Sequence, residues 1–125
     1  MIEHLTIYLG RDHQVRYWLK HRDPETLAVV PIPPNFVTRV QLQLQGMRSY
    51  CVDTDDPFHP ITLLDDARVI GMRLGRVEGL KTGEYKGWLT IFDAQSPNGT
   101  PWGQGGEHKD EPTFMIKAVR WPNCG

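Results

Sequence analysis

The sequence predicts an all-β fold, a sandwich of about seven strands in a single domain spanning residues 1–125, and three observations carry this. The first is composition: 12 glycines and 10 prolines in 125 residues make about 18 %, against a usual share of about 12 %. That excess calls for many turns and argues against a helical bundle. The second is a recurring apolar alternation of period two, the mark of half-buried strands. The third is length, since 125 residues fit one domain that can bury roughly two thirds of its unfolded surface.

The elements follow in chain order. Leu5, Ile7 and Leu9 alternate with Thr6 and Tyr8 until Gly10-Arg11-Asp12 breaks the strand. Val15, Tyr17 and Leu19 resume the pattern, with Trp18 on the opposite face. Pro24, Pro31, Pro33 and Pro34 then forbid a helix or a central strand, because each lacks a ladder N–H. This stretch reads as an irregular crossing with an edge-strand turn at Ala28-Val29-Val30. Phe36 to Leu44 is the clearest strand, with Val40, Leu42 and Leu44 inward and Arg39, Gln41 and Gln43 toward water. Gly46 turns the chain, and Met47 to Asp53 returns as a partner strand. Asp53-Thr54-Asp55-Asp56-Pro57 is a turn, since short carboxylates bond nearby backbone N–H groups.

Ile61 to Leu64 is a short strand or a connection. Ala67 to Leu74 is a further strand, in which Gly71 suggests a bulge. Leu80-Lys81-Thr82-Gly83-Glu84-Tyr85 has the spacing of a tyrosine corner, whose hydroxyl bonds a nearby backbone group. It leads into the strand Lys86 to Asp93, where Trp88 is expected in the core. Ala94 to Pro112 reads as a loop or long hairpin tip turning at Asn98-Gly99, and Thr113 to Val119 closes the fold.

Charge and cysteine content narrow the function classes. Lys+Arg 14 against Asp+Glu 15 gives a net charge of −1, without the basic excess that nucleic-acid binding draws on. The short clusters Arg11 with Arg16, and Lys20-His21-Arg22, read as solvated turns. Cys51 and Cys124 show no metal-ligand spacing and read as free thiols of a reducing compartment. No apolar run approaches the ~20 residues of a membrane helix. The N-terminus lacks the pattern of a signal peptide, so residence in the bacterial cytoplasm is expected.

No constellation supports catalysis, and no cofactor is expected. Asp53, Asp55, Asp56 and His59 form the densest set of potential ligands, yet the prolines around them mark a structural turn and no EF-hand glutamate follows. His4, His13, His21 and His108 are scattered. Asp65-Asp66 are adjacent, so on a strand they point to opposite faces and cannot share a scissile bond. Gly103-Gln104-Gly105-Gly106 lacks the register of a phosphate-binding loop. The remaining candidates are aromatic contact residues. Trp18 is expected to be partly exposed. Trp102, in a Gly/Pro loop, either packs onto the sandwich or projects as an anchor, and Trp121 packs on an edge or on another subunit.

The run Asp65-Asp66-Ala67, Leu74-Gly75, Gly79 to Tyr85, Leu89 to Asp93, Pro97-Asn98-Gly99 and Trp102 resembles small proteins encoded among tailed-phage and prophage structural genes. Thr38 to Leu42 with Gly46 is similar to their preceding strands, so the resemblance spans Thr38 to Trp102, about half the chain. It implies an immunoglobulin-like β-sandwich and a non-enzymatic structural or assembly role. The expected partners are other phage structural proteins or further copies of the chain, and the protein would reside in the virion after assembly. Exposed aromatics fit a second function equally well, a carbohydrate- or surface-binding module.

Overall fold

The computed structural model describes residues 2–22, 25–57, 59–103, 106–107 and 112–120. Among the described residues the chain forms twelve strands and one short 3-10 turn at Leu74–Arg76. The strands are β1 (Glu3–Leu9), β2 (Val15–Trp18), β3 (Lys20–Arg22), β4 (Val29–Pro31), β5 (Val37–Gln45), β6 (Ser49–Asp53), β7 (Ile61–Leu64), β8 (Val69–Met72), β9 (Gly83–Asp93), β10 (Thr100–Gly103), β11 (Gly106–Glu107) and β12 (Phe114–Arg120). The fold is all-β and sandwich-like. One sheet holds seven strands and a second holds three, while β3 and β4 form a separate ribbon.

The large sheet is organised around β9. β5 runs antiparallel along one side of it and β6 pairs with β5. Along the other side, β12 pairs with Gly83 to Gly87 and β10 with Leu89 to Ile91. β1 joins β12 in parallel, so the first strand lies against the last one described. β2, β8 and β7 make the small sheet, with β8 in the middle. The two sheets meet through inward side chains, among them Leu42, Leu44, Ile91 and Ile116 from the large sheet and Ile61, Ile70 and Met72 from the small one. Tyr17 of β2 meets Phe114 of β12 edge to face, with ring centroids 4.9 Å apart, the geometry that ring quadrupoles favour.

Alternation explains most of these strands. In β9, Tyr85, Gly87, Leu89, Ile91 and Asp93 are buried while the residues between them are not. In β5 a bulge between Val37 and Arg39 shifts the register against β9. The extra residue changes the phase, so Val37 and Val40, three apart, both face inward. The tyrosine corner is present: the Tyr85 hydroxyl donates to the Lys81 carbonyl at 2.7 Å.

Three local expectations need correction. Gly71 marks no bulge, for β8 stays in register with both neighbours. A Cβ there would lie 2.8 Å from the Gln14 amide and 2.9 Å from the Leu64 side chain, so crowding explains the glycine. Trp88 is half-buried, not core, because it falls between the inward positions of β9, and its indole N–H donates to Gln45 at 2.9 Å. The edge strand expected at Ala28-Val29-Val30 lies one residue later, at Val29–Pro31, where β4 pairs with β3.

Candidate functional site

The β2–β3 passage holds the exposed tryptophan. Tyr17 and Leu19 are 5 % and 0 % exposed, whereas Trp18 is 49 % exposed. Parity sets this, because successive residues of an extended chain face opposite ways. Trp18 pairs with Val69 on the edge of the small sheet, and the Leu19 N–H then donates to the Arg68 carbonyl at 2.8 Å. From Lys20 the chain leaves that sheet and pairs with β4, Lys20 opposite Pro31 and Arg22 opposite Val29. The Ile32 N–H donates to the Leu19 carbonyl at 3.2 Å, which carries the same register inward of Trp18.

The ribbon therefore has two unlike faces. Leu19 and Ile32 are buried, while Trp18, Lys20, Val29, Pro31 and Pro33 are exposed. Lys20 and Pro31 are cross-strand partners and share the outward face with Trp18. Pro31 offers no N–H along the β4 edge, so contact here runs through side chains and not through an added strand.

The other tryptophans are placed differently. Trp102 sits in β10 opposite Leu89 and is 9 % exposed, within the core cluster. Packing, and not a projecting anchor, is its arrangement, because pairing with β9 draws this part of the Gly/Pro loop onto the sheet. Trp121 lies outside the described residues, as do Cys124 and His108.

The acidic turn after β6 is occupied by its own chain. Arg39 donates from Nε to Asp53 at 2.8 Å and again from Nη2, with its guanidinium 4.7 Å from the Phe92 ring centroid. The Asp55 N–H donates to Asp53 at 3.0 Å, and the Asp53 N–H to the Asp56 carboxylate at 2.9 Å. The Arg39 hydrogen bonds hold the Asp53 carboxyl below the usual carboxylate range. Among the described residues no group of three or more His, Cys, Asp or Glu is arranged to hold a metal ion. Asp65 and Asp66 form, with Ala67, a left-handed turn joining β7 to β8. His4 and His13 are exposed, and His13 meets the Tyr8 ring edge-on. Cys51 is a free thiol on β6. Burial first, then the nearby Asp53 and Asp56 carboxylates, push its pKa up.

Two clefts have no counterpart in the sequence reading. One of about 760 Å³ lies between Leu9–Asp12 and Gly75–Leu80; the Arg76–Asp12 ion pair at 2.6 Å spans it and lowers the Asp12 pKa. The other, about 300 Å³, lies between the tip of the β5–β6 hairpin and the tyrosine corner. Its two lining segments, residues 47–50 and 81–85, are more than 30 positions apart, a separation that no local motif reveals. No protein-family model matches the chain, and comparison with curated proteins and with solved structures gives no match.

Proposed function

We propose that this chain is a non-enzymatic assembly module of a phage or prophage particle, built on an immunoglobulin-like sandwich and acting through protein–protein contact. The observation that carries it is Trp18, held outward by the β2–β3 passage beside a ribbon that also exposes Val29 and Pro31. An aromatic anchor with flat apolar neighbours is the composition of an interface centre. The immunoglobulin-like reading draws support from the strand order, β6-β5-β9-β12-β1 in one sheet and β2-β8-β7 in the other. The tyrosine corner at the start of β9 adds to it.

The occupant of the Trp18 face is a further copy of the chain, since particles of this kind are built from symmetric arrays. Sedimentation velocity tests this. The wild-type chain should associate with rising concentration, and Trp18→Ala should stay monomeric at an unchanged melting temperature. A wild type that remains monomeric, or a variant that associates equally well, overturns the proposal. A saturable change in tryptophan fluorescence with a neutral oligosaccharide, lost in Trp18→Ala, would instead assign the face to sugar stacking.

A further inference from the structure

The smaller cleft is a built feature. Its floor is Tyr50 from β6, which meets the buried Tyr85 of β9 edge to face at 6.1 Å between centroids. Both hydroxyls are fixed by donation to backbone carbonyls, Tyr50 to Gly79 at 2.8 Å and Tyr85 to Lys81 at 2.7 Å. Gly46 lets the hairpin tip close over the Tyr85 ring, since a Cβ there would come within 2.7 Å of it. Gly83, at φ 147°, supplies the backbone angle that turns the opposite wall, which side-chain-bearing residues rarely adopt.

The rim is cationic. Arg48 on the hairpin and Lys81 before the corner both line the cleft, and neither has an acidic partner among the described residues. Arg39 and Arg76, by contrast, are each held by an aspartate. Glu84 is the one carboxylate among the lining residues, so the rim carries a net positive charge. A volume of about 300 Å³ stands at the lower end of small-molecule sites, which span about 300–1,000 Å³.

We propose that this cleft binds a small carboxylate carried on a flat ring, with the ring against Tyr50 and the carboxylate between Arg48 and Lys81. The ring face satisfies the aromatic floor, and the carboxylate receives charge-assisted hydrogen bonds from the two cations. The site is separate from the Trp18 face and does not rest on the assembly reading.

An NMR titration of the full chain tests the site, with benzoate, glucuronate and benzamide as probes to about 20 mM, where affinities near the millimolar level are measurable. Saturable shifts at Tyr50 and at residues 81–85 are expected with benzoate, whereas glucuronate, whose pyranose ring is puckered, should bind more weakly. Benzamide, the neutral isostere of benzoate, should bind at least about tenfold more weakly than benzoate, a difference of about 1.4 kcal/mol. Arg48→Gln and Lys81→Gln, both at exposed positions, should each weaken the carboxylate, and Glu84→Gln should tighten it. Three results would overturn the site: no saturable shift with benzoate, benzamide binding as well as benzoate, or Arg48→Gln and Lys81→Gln both binding like the wild type.

Discussion

At the residue scale, the two tryptophans Trp18 and Trp102 show how little residue type says about role. Trp18 lies in regular alternation and is half exposed, while Trp102 lies in a Gly/Pro-rich stretch and is buried. The difference is strand parity in one case and ladder pairing in the other. Trp102→Ala would leave a large void beside Leu89, and truncations of this kind cost about 3–5 kcal/mol. Trp18→Ala removes little that is packed and should stay within about 0.5 kcal/mol of the wild type. Chemical denaturation of both variants checks the pair. Equal losses, or a larger loss for Trp18→Ala, would show that the two side chains are placed otherwise.

At the scale of the element, the β9 edge shows how a broken strand is repaired. β10 and β12 occupy successive parts of one edge of β9, β12 pairing up to Gly87 and β10 from Leu89, with Trp88 between the two ladders. Thr113, 2 % exposed, closes the gap. Its hydroxyl accepts the Leu89 N–H at 3.2 Å and donates to the Trp102 carbonyl, taking the place of a backbone bridge. Thr113→Val keeps the shape and removes both bonds, leaving a buried N–H without its acceptor. Such a loss costs about 1–3 kcal/mol. Thr113→Ser, which retains the hydroxyl, should recover a substantial part of that stability. Amide exchange at Leu89 is the local readout, and it should quicken in Thr113→Val only.

Across the whole molecule, Tyr17 ties the two sheets together and makes stability depend on alkaline pH. Burial, and secondarily the charge of Glu3, raise its phenol pKa far above the ordinary value near 10. Below about pH 10 both folded and unfolded chains keep this proton, and stability is independent of it. Above that, the unfolded chain releases the proton while the folded chain holds it, so stability falls with rising pH. The slope for one such group approaches about 1.4 kcal/mol per pH unit. The pKa of Tyr85 is also raised, by burial first, and contributes to the same limb. Tyr17→Phe should therefore flatten the decline between about pH 10 and 12 without abolishing it. An unchanged limb would show that Tyr17 ionises freely in the folded state.

The same three scales divide what was legible from what was not. Period-two alternation locates β1, β5, β9 and β12, because a half-buried strand must place every second side chain in the core. The tyrosine corner was legible too, since its partners Lys81 and Tyr85 are four residues apart. Local chemistry decides such features, so a local window contains them. The parallel pairing of β1 with β12, the bulge that rephases β5, the burial of Trp102 and the cleft over Tyr50 and Tyr85 are not local. Each depends on which distant strand lies alongside, and a strand's own pattern specifies its inward face but not its neighbour. The sequence alone determined an all-β chain with its turns and most of its inward faces. The tertiary structure decided which aromatic side chains reach solvent and which cations stand without an acidic partner among the described residues, because those follow from pairings between distant strands.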